Sequence, residues 1–260
     1  MYCNPTVFQN GRHAFAVFRR GDFQYNRSMS KEHFEQAVTA RFLRRVNRFI
    51  ADIELSDGQV VQAHLANTGR MQELLRPGVA ALVRPAKNPA RKTAWDLIAV
   101  DHGGSWVCLA AAWANDFMRE WLSKGRIAGF YDWKQIEWEK KIGNSRFDFA
   151  VTLQSGERWL LEVKSVNYVI DGHALFPDAP TTRGRRHVEE LLALREQGWQ
   201  VGIFFVTMGQ PVVDVGFNAE NDPEFARVMQ RAIAEGAVVR AFSAEILPPD
   251  VYFRGERPIR

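Results

Sequence analysis

The stretch from Ser145 to Ser165 limits the fold more than any other part of the chain. In its first half, Phe147, Phe149, Val151 and Leu153 hold the odd positions; in its second, Trp159, Leu161 and Val163 do the same. Period-two alternation of this kind marks half-buried strands. Two such strands in succession make a hairpin whose apolar sets share one face, so odd must pair with odd and even with even. A three-residue loop, Gln154-Ser155-Gly156, meets that condition, with Gly156 available for the left-handed position. It pairs Leu153 with Glu157, and therefore Asp148 with Glu162. A two-residue loop would set Asp148 against Val163 and mix the faces. Lys164 follows Glu162 by two residues and shares its face. The pattern alone brings two carboxylates and an amine to one spot.

Adjacent carboxylates raise each other's pKa unless a positive charge lies between them. A hard, oxygen-preferring divalent cation such as Mg²⁺ (or Mn²⁺) supplies that charge, acidifies a bound water and bridges a phosphodiester oxygen. Asp148 and Glu162 are therefore the expected metal ligands and catalytic carboxylates. Lys164 would stabilise charge on the phosphate or help deprotonate the water. Glu120 is the expected third carboxylate, as ligand and catalytic residue, with Glu139 as second choice. On the three core residues alone, an ordinary charged surface is the better explanation of the pattern. The order of elements around them tips the balance.

Residues 1–35 show no steady periodicity and read as a poorly packed extension, and Met29 is an alternative start. From Arg48 to about Ala110 the signals are β, with Phe49, Ala51, Ile53 and Leu55 alternating inward and the turn Ser56-Asp57-Gly58 following. Return strands are expected near 59–65, 79–83, 95–100 and 106–110. Short strands with tight turns suggest a small barrel, best an OB-like one, over residues 36–111. After residue 112 the rhythm changes: Trp113, Phe117 and Trp121 form a helical stripe, closed by Gly125. Strands follow at about 133–139, 146–153 and 158–166, then a helix at 185–197 and the strand Val201–Val206. A helix opens at Asp222-Pro223, with Asp222 as N-cap, before a last strand at 238–246. The late strand-helix-strand unit implies parallel pairing, so residues 112–260 should form a mixed sheet flanked by helices, in an α/β chain overall.

No apolar run is long enough to span a membrane. Two isolated cysteines, Cys3 and Cys108, give neither a disulfide framework nor zinc spacing, which suits a reducing cytoplasm. The net charge of +4 says little by itself, but basic residues cluster. Arg44, Arg45, Asn47 and Arg48 form one candidate DNA-contact group; Lys87, Arg91 and Lys92 a second; Arg183, Arg186 and His187 a third, by a helix start. Asn67 and Arg70 flank Gly69, where backbone amides could approach an anion, although a plain polar turn explains them equally well. The tryptophans read mostly as core. No helix-turn-helix recognition helix is evident, which argues against a sequence-specific repressor.

A helix, a strand, the carboxylate hairpin and a basic helix follow one another as in the PD-(D/E)XK nuclease core, which this half resembles; Arg146-Phe147-Asp148 stands where that family often has Pro-Asp. Further motifs are Arg45-Val-Asn-Arg-Phe-Ile50, His64-Leu-Ala-Asn-Thr-Gly-Arg-Met71, Asn88-Pro-Ala-Arg-Lys92 and Ser145-Arg-Phe-Asp-Phe149. Glu162-Val-Lys164, Ala174-Leu-Phe-Pro-Asp-Ala179, Thr182-Arg-Gly184 and His187 complete the set. In that order, over about residues 41–260, they resemble the sugar fermentation stimulation protein A (SfsA) family. The resemblance implies an N-terminal OB-like domain, a nuclease-like C-terminal domain, non-specific DNA binding and a regulatory role in sugar (maltose) metabolism. A Mg²⁺-dependent nuclease is the finer expectation, with a non-catalytic DNA-binding regulator on the same scaffold as the alternative. The oligomeric state is left open, a homodimer among the options.

Overall fold

The computed structural model describes residues 31–88, 90–143 and 145–260. The first half is built from β1 (Val38–Asn47), β2 (Ile50–Leu55), β3 (Val60–His64), β4 (Ala80–Pro85), β5 (Trp95–His102) and β6 (Ser105–Cys108). β1 pairs antiparallel with β2 and β4, β2 with β3, and β4 with β5. A short parallel contact between β3 and β5 closes the ring into a five-stranded OB barrel. Closure removes the exposed edges that an open sheet of this size would present. Phe42, Ala51, Ile53, Leu65, Leu74, Val83 and Leu97 fill the interior. Phe49 does not join them: it lies in the β1–β2 turn, ahead of the alternating strand, and is 45% exposed.

The second half comprises α1 (Trp113–Ser123), β7 (Trp133–Ile142), β8 (Ser145–Leu153), β9 (Arg158–Val166), β10 (Tyr168–Ile170) and β11 (His173–Phe176). It continues with α2 (Thr182–Arg195), β12 (Gln200–Met208), β13 (Asp214–Phe217), α3 (Pro223–Ala234), β14 (Val238–Leu247) and β15 (Asp250–Arg257). Six strands form a mixed sheet in the order β15-β14-β12-β9-β8-β7, parallel between β9, β12 and β14. Its centre, β12, is buried along nearly its whole length, as a strand covered on both faces must be. α1 covers one face through Trp113, Phe117 and Trp121. α2 and α3 cover the other through Val188, Leu191, Phe225 and Met229. Each of the fully buried large side chains contributes on the order of 1.5–3 kcal/mol.

Asp222 caps α3, accepting the Phe225 N–H at 2.9 Å, with Pro223 in the first turn as its sequence predicts. α2 begins three residues earlier than expected because Thr181 caps it, accepting the Gly184 N–H at 3.1 Å. β1, β15 and the small sheet β10-β11-β13 are additions to the sequence reading. The expected loose packing of the N-terminal extension fails for its last residues. Phe34 is buried, its ring 5.3 Å from that of Trp113, and His33 Nε2 lies 3.1 Å from Asp116 Oδ2. Residues 1–30, with Met29, lie outside the described residues.

The barrel and the sheet share an apolar core. Leu82, Ile98, Ala99 and Cys108 pack in the same cluster as Trp113, Phe117, Phe204 and Phe242. Burial pushes the Cys108 thiol up to about 12, so it behaves as a small apolar group. Among the described residues no helix is long and apolar enough to cross a membrane.

Candidate metal and nucleic-acid site

β8 and β9 pair in the register that their alternation dictates: Phe149 with Leu161, Ala150 with Leu160, Val151 with Trp159 and Thr152 with Arg158. The turn is closed by Gly156 at φ 87°. The next step of this register sets Asp148 against Glu162. There the side chain replaces the backbone ladder, because Asp148 Oδ2 accepts the Val163 N–H at 2.7 Å. The pleat also changes at this point. Phe149, Val151 and Leu153 join the α1-side core, whereas Phe147 joins the core under α2 and α3. On the other flank, Trp138 pairs with Phe149 and Lys140 with Phe147, while Glu139 between them takes φ 50°.

Asp148 Oδ1 accepts from Asn115 Nδ2 of α1 at 2.7 Å. Glu162 is 4% exposed, and its Oε1 lies 2.6 Å from Lys164 Nζ and 2.7 Å from His187 Nδ1 on α2. Burial opposes ionisation of Glu162, but Lys164 and His187 together hold its carboxyl below the ordinary range. An ionised carboxylate only accepts, so Nδ1 of His187 carries the proton and Nε2 is free to accept from Arg183 Nε, 3.4 Å away. Asp148 is pushed the other way, up to about 6, by burial first and then by the Glu162 charge. The second Glu162 oxygen, Oε2, is buried and has no hydrogen-bond partner among the described residues. A buried charged oxygen left unpaired is costly. The pair thus presents one orphan carboxylate oxygen and one carboxyl reluctant to ionise, beside the single ammonium of Lys164.

Glu120, on the same helix as Asn115, is largely buried. It bonds Lys124 one turn along α1, and Asn115 is the α1 residue at Asp148. Glu139 is exposed and lies 3.6 Å from Arg146. Among the described residues no three His, Cys, Asp or Glu side chains gather as a metal-binding group. Asn115 was not foreseen, and nothing in its spacing distinguishes it from other polar residues on the helix.

The basic residues divide into two kinds. Arg45 is spent internally: Nη1 donates to the carbonyls of Gly69 and Arg70 at 2.7 and 2.9 Å, and Nη2 to those of Arg48 and Asn67 at 2.8 and 3.2 Å. The amides expected to approach an anion are also taken. Gly69 N–H donates to Asn67 Oδ1 at 2.9 Å and Arg70 N–H to Asp178 Oδ2 at 2.7 Å, so the anion there is the protein's own carboxylate. Asn67 Nδ2 donates to the Leu109 carbonyl and Asn47 Oδ1 accepts the Phe49 N–H. Arg44 pairs with Asp52 and Arg91 with Asp96, each at 2.8 Å, and Arg186 lies 3.4 Å from Glu190. Arg48, Lys87, Lys92 and Arg183 are exposed, while His187 is buried against Glu162 and orients it.

The sugar fermentation stimulation protein RE domain matches residues 112–249, and the SfsA N-terminal OB domain matches residues 43–109. The chain belongs to the SfsA family. It is 38% identical over 212 residues to a sugar fermentation stimulation protein homolog of Acetivibrio thermocellus, covering 81% of this chain and 90% of that one. A homolog from Syntrophotalea carbinolica is 35% identical over 223 residues, covering 85% and 96%. The solved structure of Pyrococcus furiosus SfsA in complex with Ca²⁺ superposes with a TM-score of 0.80 at 26% identity, over 86% of this chain and 96% of that one. These SfsA relatives extend over both the barrel and the mixed sheet.

Proposed function

We propose that this SfsA protein is a divalent-cation-dependent phosphodiesterase acting on DNA. The observation that carries the reading is Glu162, with Oε1 fixed by Lys164 and His187 and Oε2 buried without a partner, beside an Asp148 carboxyl raised to about 6. A cation between them would satisfy the orphan oxygen and favour ionised Asp148. The all-oxygen donor set suits a hard ion such as Mg²⁺ or Mn²⁺, and the Pyrococcus furiosus relative was solved in complex with Ca²⁺, another hard divalent ion. Such an ion would act as a Lewis acid on a phosphodiester oxygen and lower the pKa of a bound water.

The chain's own residues do the rest. Asn115 and the Val163 amide fix Asp148 from two sides. His187, held from behind by Arg183, fixes Glu162. Lys164 keeps a positive charge at the centre, where it stabilises charge growing on the phosphate. Arg48, Lys87, Lys92 and Arg183 supply exposed positive charge for phosphates further along the strand. The test is incubation with single-stranded, duplex and branched DNA, with and without Mg²⁺ or Mn²⁺, beside an Asp148→Ala/Glu162→Ala variant. Metal-dependent cleavage lost in the variant is the expected result. Salt-sensitive binding without cleavage under either metal would leave a DNA-binding regulator on a nuclease scaffold.

A further inference from the structure

Trp138 lies on β7, the edge of the mixed sheet, and is 41% exposed. Isolated exposed aromatics are ordinary; its surroundings are not. It pairs with Phe149, the residue after Asp148, and the two rings meet edge-on at 5.8 Å. The Arg119 guanidinium lies over one face of the indole, 5.0 Å from its centroid, and must swing towards a phosphate for a base to stack there. Arg119 follows Asn115 by one turn of α1, so the helix face that holds Asp148 also presents Arg119. Its side chain is 45% exposed, and its contact with Asp116 is long, at 3.8 Å. An aromatic face and a cation therefore lie together on an open sheet edge, one residue away from the candidate metal carboxylate.

We infer that Trp138 and Arg119 form a nucleotide platform in which an unpaired base of single-stranded DNA stacks on the indole while Arg119 contacts its phosphate. The inference rests on the phosphodiesterase reading and specifies its substrate. A base inside a duplex has both faces covered by its neighbours, so an indole can stack only on a base that is unpaired or extruded. Arginine suits the second role because its planar fork binds phosphate oxygens.

The test compares binding of a short oligothymidine with that of an abasic chain of equal length, by fluorescence anisotropy in Ca²⁺. Trp138→Ala should weaken oligothymidine binding about tenfold. Trp138→Phe should recover part of that loss, and all three proteins should bind the abasic chain alike. Arg119→Ala should weaken both chains. An equal loss on both chains for Trp138→Ala, or no loss, overturns the platform, and thermal melts establish that each variant is folded. A parent protein that binds neither chain overturns the platform and the DNA reading together. Base-dependent binding without metal-dependent cleavage would sustain the platform and sink only the hydrolytic reading.

Discussion

The Asp178 carboxylate accepts the main-chain N–H of Arg70 at 2.7 Å, joining residues 108 positions apart and fastening the barrel to the mixed-sheet half. Gly69 makes the approach feasible, since a Cβ there would lie 2.4 Å from Asp178 Oδ2. Gly69→Ala should displace the carboxylate and cost roughly 1–3 kcal/mol, read as a lower melting temperature. Adding Asp178→Ala removes the obstruction, so the double variant should lose less than the two single losses combined. Strictly additive losses would show that Gly69 is required for something else.

Arg45 and Arg183 should separate structural from substrate-facing charge. Arg45 donates to several carbonyls, so Arg45→Lys, which lacks the fork, should lower the melting temperature and leave the salt dependence of DNA binding unchanged. Arg183→Ala should weaken binding on all sequences and reduce the slope of log affinity against log salt by about one. Titrations across a salt series check both, and a reduced slope for Arg45→Lys alone would reverse the assignment.

Asp148 gives the metal-free protein a distinct pH signature. Its carboxyl, raised to about 6 by burial and then by Glu162, holds a proton more tightly in the folded chain than in the unfolded one. Such a group contributes its full stability below its unfolded pKa and loses it as pH rises through the folded value. The loss should amount to roughly 2–3 kcal/mol between about pH 4 and pH 6. Asp148→Asn, with Asn115 turning its amide over to accept, should flatten that stretch and melt above the parent near neutral pH in a chelator. Mg²⁺ should stabilise the parent and leave the variant unmoved. Melts that respond to neither pH nor Mg²⁺ would count against a cation at this pair.

Asp222 ties two helix starts together. Its Oδ1 takes the Phe225 N–H and Arg185 Nη1 at 2.9 and 2.6 Å, and its Oδ2 takes the Thr181 N–H at 2.7 Å. Burial opposes ionisation, but these partners hold its carboxyl below the ordinary range. Asp222→Ala strands the half-buried Arg185 guanidinium and two amides, and should cost about 2–3 kcal/mol. A lowered folded pKa means that the stability is present above the unfolded pKa and is lost as pH falls through the folded value. The gap between the parent and Asp222→Asn should therefore narrow in acid. A gap that stays constant below the usual aspartate range would show that the charge is not what matters.

The parts of this structure that depend on local alternation were legible. The Phe149–Leu161 register followed from two runs of odd-numbered apolar residues, and the α3 start followed from Asp222-Pro223. β1 was missed because its arginines read as a charge cluster and a bulge between Phe42 and Arg44 breaks the strict alternation that marks a strand. Arg45 could not be assigned from sequence, since its carbonyl partners in the 67–70 loop are brought near only when β1, β2 and β3 pair. That Asn115 meets Asp148 depends on the rotation of α1 against the sheet, a tertiary quantity to which apolar periodicity is blind.

Leu82, Ile98, Ala99 and Cys108 belong by sequence to the barrel and by packing to the core beneath α1. This boundary is a seam with no skin on either side. A gene fusion that moved the barrel alone to a new host would carry a bare oily flank into water, and the half left behind would be missing part of its own floor. Separating the two halves would therefore expose apolar surface on both.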